Sequence, residues 1–266
     1  MWRLLKLETH DAAMNMAIDE AILRARVASK VPNTMRFYSW RPSAVSIGRF
    51  QDVHEQVNLD NCEEQSVEVV RRITGGGAVY HDSEGEITYS VIVRREDLGA
   101  EDVTAAYNKI CSGLIKALEL LRVKADFNPG DYKNCPNIAI NGKKISGSAQ
   151  SLKRGMILQH GTLLMSVNLE KMFTFLRVPW ARTCVELVNI AERKITSVKN
   201  ETGSEVTLQQ AYSSLVKGFQ QALDVELLDG TLTKEEDETA RTLSREKFAN
   251  KDWTFLGAHV SHLVSS

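Results

Sequence analysis

The chain has 266 residues, 43% of them hydrophobic and 25% charged, enough for a full core as one large domain or one domain with a small appendage. Its 33 basic and 34 acidic residues leave a formal net charge of -1, so charge alone gives it no hold on nucleic acid. No apolar run approaches the roughly 20 residues of a membrane span, and the four cysteines (Cys62, Cys111, Cys135 and Cys184) are scattered without a CxxC pair, which argues against a zinc site or disulfide framework and fits a reducing cytoplasm.

The opening Met1 to Glu8 is too short and interrupted for a signal peptide and reads as a first strand. After Asp11, a plausible N-cap, Met14, Ala17, Ile18, Ala21 and Ile22 form a helical stripe. Met35 to Trp40 and Ala44 to Ile47 read as strands broken by Arg41-Pro42; Val67 to Val70, Ala78 to Tyr80 and Ile87 to Val93 continue the pattern. A helix is predicted from about Val103 to Leu121, with Ala105, Ile110, Leu114, Ile115, Leu118 and Leu121 on its apolar face. Ile138 to Ile140 and Lys143 to Ser148 flank Asn141-Gly142, a strong two-residue hairpin signal, and Met156 to Met165 reads as another strand. From about residue 168 helices dominate, notably Leu208 to Leu223 and Lys234 to Phe248, with no internal repeat or low-complexity linker. Strands first and helices later predict an α+β fold in a single domain over 1–266, with a helical C-terminal part.

Two segments carry chemistry. The first is Arg71-Arg72-Ile73-Thr74-Gly75-Gly76-Gly77-Ala78-Val79-Tyr80-His81-Asp82. Glycines let a ligand touch main-chain N–H groups, and arginine offers a planar cationic fork, so the combination reads as a pocket for an anionic small molecule. The second is Asn141-Gly142-Lys143-Lys144-Ile145-Ser146-Gly147-Ser148-Ala149-Gln150. Strand alternation puts Ile145 toward the core, places Lys144, Ser146 and Ser148 on a shared polar face, and leaves Lys143 free to swing to solvent. Asp82 reads equally well as a cap or as a partner for Arg71.

Together these segments resemble the catalytic domain of lipoate–protein ligases, in the wider family of biotin protein ligases and octanoyltransferases, over nearly the whole chain. Supporting matches are Asn15 to Glu20, Ser46-Ile47-Gly48-Arg49-Phe50-Gln51 and His160-Gly161-Thr162-Leu163-Leu164. The resemblance implies a mixed β-sheet flanked by helices with a tunnel for an acyl chain, and no C-terminal accessory domain. It implies an ATP- and Mg²⁺-dependent ligase that activates lipoate or octanoate as acyl-AMP and passes it to a lysine of a lipoyl-carrier domain, of the 2-oxoacid dehydrogenase E2 or glycine cleavage H type. In that reading Lys144 bridges the carboxylate and the α-phosphate. ATP and the lipoyl group lie against Arg72, Gly75, Gly76, Gly77, Ala78, Val79, Tyr80, His81, Asn137, Ser146, Gly147 and His160. Asn137 is the candidate Mg²⁺ ligand, since Pro136-Asn137 stands where ligases often carry Asn-Asp. The chain stops soon after Lys247 to Trp253, which resembles the end of the catalytic domain, so a separate small accessory subunit is expected, at least for adenylation.

The rival is an octanoyltransferase on the same scaffold, which takes octanoate from a carrier protein through a cysteine thioester and needs no ATP. Arg36-Phe37-Tyr38, Glu86 to Val91 and Gly147 to Gly161 resemble that class, and Cys135, just ahead of the Lys144 hairpin, is its candidate nucleophile. Two departures weigh toward the ligase: that class usually reads Gly-Gly-Arg at Gly75-Gly76-Gly77, and its cysteine sits further ahead, in a longer loop. A non-enzymatic carrier-binding role leaves Lys144 and Arg72 without a purpose.

Overall fold

The computed structural model describes residues 1–130, 136–178 and 183–257. Among these described residues eleven strands and ten α-helices follow in chain order: β1 (Trp2–His10), α1 (Ala12–Val27), β2 (Thr34–Trp40), β3 (Ala44–Ile47), α2 (Val53–Gln56), α3 (Leu59–Glu64), β4 (Glu68–Arg71), β5 (Val79–His81), β6 (Glu86–Arg94), α4 (Val103–Leu120), β7 (Asp126–Asn128), β8 (Asn137–Ile140), β9 (Lys143–Lys153), β10 (Met156–Leu164), α5 (Leu169–Phe175), α6 (Cys184–Ala191), α7 (Val198–Thr202), α8 (Leu208–Leu223), β11 (Leu227–Gly230), α9 (Lys234–Leu243) and α10 (Lys251–Leu256). Eight strands form one mixed sheet in the order β11-β1-β2-β6-β10-β9-β8-β7, and β4-β3-β5 form a second, small sheet.

Local chemistry explains the main elements. Asp11 accepts from the Met14 amide at 2.7 Å and starts α1; Asp102 does the same for α4 through Ala105. Thr207 with Gln210 and Thr233 with Glu236 form capping boxes on α8 and α9. Asn141 and Gly142 both take positive φ (50° and 80°), as the tight β8–β9 turn requires.

One face of the large sheet packs on α4 and α8 through Phe37, Tyr89, Ile110, Leu114 and Phe219. The other packs on α1 and α9 through Tyr38, Trp40, Ile18, Ile22 and Ala240. A third cluster, including Val45, Tyr80 and Phe175, closes the small sheet. Glu236 joins β1 to α9, taking two bonds from Arg3 at 2.6 and 2.8 Å.

The mixed sheet flanked by helices is as expected, and helices dominate after β10, with one short strand, β11, among them. β11 returns as an edge strand parallel to β1. Its sequence, Leu-Leu-Asp-Gly, is too short and half-polar to announce a strand. Edge strand β7, Asp-Phe-Asn, went unforeseen for the same reason. The helix expected to Phe248 ends at Leu243 and widens into a π-type turn over Ser244–Phe248.

Candidate active site

A cleft with about 600 Å³ of empty space, part of it open to solvent, lies where the glycine loop faces the large sheet. Met16, Tyr38, Trp40, Ala78 and Val79 supply apolar walls, and Ser46, Thr88 and Thr162 polar ones. Of the residues expected here, Arg72, Gly76, Gly77, Ala78, Val79, His81, Lys144, Gly147 and His160 line the cleft; Pro136, next in the chain to Cys135, does so too.

Gly75, Tyr80, Asn137 and Ser146 do not line it, and for two of them the reason is strand geometry. Tyr80 alternates with Val79 and His81 on β5, so it points the other way and stacks on Phe175 at 5.1 Å between centroids. Ser146 is displaced by a β-bulge: Ala139 pairs with Lys144, but Ile138 pairs with Ser146, leaving Ile145 extra. The extra residue inverts the alternation beyond it, so Gly147, not Ser146, shares a face with Lys144. Ser146 is fully buried, its Oγ without a partner among the described residues. Ser148 does reach the cleft, with its hydroxyl 2.8 Å from Tyr89 Oη.

Lys144 is held by its main chain and directed by its neighbour. Its N–H donates to Lys194 O at 2.7 Å, and its carbonyl accepts from Thr196 N at 2.9 Å. Its side chain runs over Gly147, where an added Cβ would stand 2.6 Å from Nζ. Asn137 pairs with Gly147 across β8–β9.

The glycine loop is anchored at both ends by buried histidine–carboxylate pairs. At one end, His160 Nδ1 lies 3.1 Å from Asp19 Oδ2 and Nε2 lies 2.7 Å from Thr74 Oγ1. Asp19 also accepts from Arg36 Nη1 (2.9 Å), Ser90 Oγ (2.8 Å) and Tyr38 Oη (3.1 Å). Burial raises the Asp19 carboxyl, but the His160 hydrogen bond and the Arg36 charge outweigh it and hold it below its ordinary value. Burial lowers His160, against the pull of Asp19, so the ring is neutral: Nδ1–H donates to Asp19 and Nε2 accepts from Thr74.

At the other end, His81 Nδ1 lies 2.7 Å from Glu86 Oε1 and Nε2 lies 2.8 Å from Ser46 Oγ, with the ring stacked on Trp40 at 3.9 Å. Arg72 completes this chain. Its Nη1 donates to Ser46 O and Oγ, and its Nη2 to the carbonyls of Gly75 and Gly77 at 2.8 and 2.7 Å. Arg71 instead donates to carbonyls of Gly48, Arg49, Gln51, Trp253 and Thr254. Asp82 pairs with Lys171 at 3.3 Å, not with Arg71.

Asp19, Ser46, Thr74 and Glu86 were absent from the sequence-derived site. Asp19 left two traces, an acidic residue in the apolar stripe between Ile18 and Ala21 and its place within the Asn15 to Glu20 match. Cys135, the candidate nucleophile, lies outside the described residues. Cys62 and Cys111 are buried, and burial pushes both thiols up to about 11, which leaves them inert. Among the described residues no group of three or more His, Cys, Asp or Glu is placed to hold a metal ion. Nor, among those residues, is any helix long and apolar enough to cross a membrane.

Residues 11–220 match the model of the lipoyl protein ligase A/B catalytic domain. Among curated proteins, the chain is 35% identical to octanoyltransferase LipM of Brevibacillus brevis, covering 95% of this chain and 98% of that one. It is 36% identical to octanoyltransferase LipM of Kyrpidia tusciae, covering 96% and 98%. Among solved structures, it superposes with a TM-score of 0.81 on a bipartite lipoate protein ligase from Thermoplasma acidophilum, 28% identical and covering 95% of each chain. Lipoate-protein ligase A bound with ATP gives the same TM-score and identity, covering 95% and 98%. The relatives' names overturn the expectation of an ATP-dependent, acyl-adenylate-forming ligase. Near-full-length relatives at 35–36% identity are octanoyltransferases, and the ligases are the more distant 28% neighbours. The glycine loop and lysine hairpin of this chain fit either activity, so Gly75-Gly76-Gly77 does not decide between them.

Proposed function

The chain belongs to the lipoyl protein ligase A/B catalytic-domain family, and we propose that within it the protein is an octanoyltransferase, moving octanoate from a carrier-protein thioester to a lysine of a lipoyl domain. The observation that carries this reading is the near-full-length similarity to octanoyltransferases LipM. Cys135 is the nucleophile. Its thiolate attacks the carrier thioester, the carrier sulfur leaves with a proton, and an octanoyl-cysteine remains. The acceptor lysine, as the free amine, then attacks that carbonyl, and the Cys135 thiolate leaves as the amide forms.

Lys144 supports both steps from the cleft wall. In this reading the Lys144 ammonium favours the thiolate form of the nucleophile and supplies or takes up the proton in transit. The apolar stretch of Met16, Tyr38 and Trp40 takes the acyl chain. The acceptor is a lipoyl domain of the E2 or H-protein type, and a free nucleophilic thiol suits a reducing compartment. Bipartite assembly belongs to the archaeal ligase; thioester transfer needs no adenylation partner.

Mass spectrometry tests the reading: an apo lipoyl domain is incubated with octanoyl-carrier protein and this chain, without nucleotide. Octanoylation of the domain, with an octanoyl adduct on the enzyme that Cys135→Ser abolishes, is the expected result. Transfer undiminished in Cys135→Ser sinks the thioester mechanism.

A further inference from the structure

The glycine loop carries two main-chain donors whose direction is set by a side chain. Arg72 Nη2 holds the carbonyls of Gly75 and Gly77 at 2.8 and 2.7 Å, while its Nη1 is fixed on Ser46. A trans peptide is planar, with its N–H pointing opposite to its C=O. Drawing the Gly75 and Gly77 carbonyls onto the guanidinium therefore turns the N–H groups of Gly76 and Ala78, the other halves of the same peptides, away from it. Both residues wall the cleft, and neither N–H donates to another described residue. A Cβ built on Gly77, which walls the cleft, meets nothing within 4 Å, so the space between the two peptides' N–H groups is open to a ligand. Gly76 itself has φ of 90°, the left-handed region that this turn of the loop needs.

We infer that Arg72 is a positioning residue: it aims the Gly76 and Ala78 N–H groups at the acyl oxygen and does not itself hold the substrate's charge. When the thiolate adds to the thioester carbonyl, the C=O π pair moves onto oxygen; the two N–H groups hold that oxyanion until the pair returns and the C–S bond to the carrier breaks. The reaction's identity rests on the transferase reading, whereas the donor pair rests on loop geometry alone.

The test uses octanoate, whose carboxylate needs no nucleophile, titrated into the ¹⁵N-labelled full chain. Downfield movement of the Gly76 and Ala78 amide protons is expected, together with a shift of the Trp40 indole, which reports cleft occupancy. In Arg72→Lys, which keeps the charge but loses the planar fork, the indole still shifts and the two amides do not. Its turnover falls by about 10²–10³ with KM for the octanoyl carrier little changed. The inference is overturned if octanoate moves Trp40 but neither amide in the natural chain. It is equally overturned if Arg72→Lys raises KM at unchanged kcat. Should Arg72→Lys not fold, Gly77→Ala decides: the folded loop has room for the methyl, so the chain folds, yet turnover and both amide shifts fall. Natural turnover in Gly77→Ala counts against the donor pair. Absence of octanoyl transfer by the natural chain, with both amides still responding, removes the transferase reading and leaves the donor pair standing.

Discussion

His160 and Thr74, 86 residues apart in sequence, are joined by a 2.7 Å hydrogen bond between Nε2 and Oγ1, and that bond fastens the glycine loop to the central strand β10. Because Nδ1–H is engaged by Asp19, Nε2 is left as the acceptor and the Thr74 hydroxyl must donate. Thr74→Val keeps the shape and deletes the donor, leaving a buried imidazole nitrogen unsatisfied. The expected loss is about 1–3 kcal/mol in urea unfolding, with Thr74→Ser close to the natural protein. Equal stability of the valine and serine variants would show the bond to be energetically idle.

The same pair gives a pH dependence with a definite sign. Burial holds His160 below its ordinary 6.5 in the folded chain, so above that value both states are neutral and the full stability is present. As pH falls below 6.5 the unfolded chain takes up a proton that the folded chain refuses, and stability is lost until the folded value is reached. Unfolding free energies from pH 8 to pH 5 should therefore fall more steeply for the natural protein than for His160→Gln. Parallel curves would mean that His160 titrates alike in both states.

Arg71 makes a separate structural prediction. Its guanidinium ties the 48–51 loop to α10 through carbonyls of Gly48, Arg49, Gln51, Trp253 and Thr254. The side chain is buried, so shortening it strands several acceptors at once. Arg71→Lys should lose about 2–4 kcal/mol and admit proteases near Trp253 first, whereas Arg72→Lys should open no such site. Uncut C-terminal residues in Arg71→Lys would contradict this division of labour between neighbouring arginines.

What could be read from the residues divides along physical lines. The strands around the glycine loop and the β8–β9 hairpin were legible because apolar runs and Asn141-Gly142 act locally. The facing of Ser146 was not, because one extra residue in a strand inverts everything beyond it and leaves no compositional mark. The Asp19–His160 contact was invisible for another reason: it spans 141 residues and exists only once α1 lies on β10. Arg72 is expected against the ligand by resemblance, but its bonds to Ser46, Gly75 and Gly77 leave no mark in the sequence, because they depend on how the loop folds back over it.

The bulge that misplaced Ser146 also sets up the most direct test of Lys144. With Lys144 and Gly147 on one face, the lysine side chain crosses the glycine, and a Cβ there would lie 2.6 Å from Nζ and 2.7 Å from Cε. Those atoms are the far end of a flexible chain, so Gly147→Ala should be accommodated by moving the ammonium, at little cost in stability. If the ammonium's position matters, transfer should nonetheless fall toward the level of Lys144→Ala, about 10²–10³ below the natural rate. Lys143→Ala is the control: that side chain borders a different groove, with Val167, Glu192 and Thr196, and its loss should leave transfer almost unchanged. Single-turnover octanoylation of a lipoyl domain, read beside thermal melts, separates the outcomes. A Gly147→Ala chain that melts normally and transfers normally would show that Lys144 acts from more than one position, and the glycine would then need another explanation.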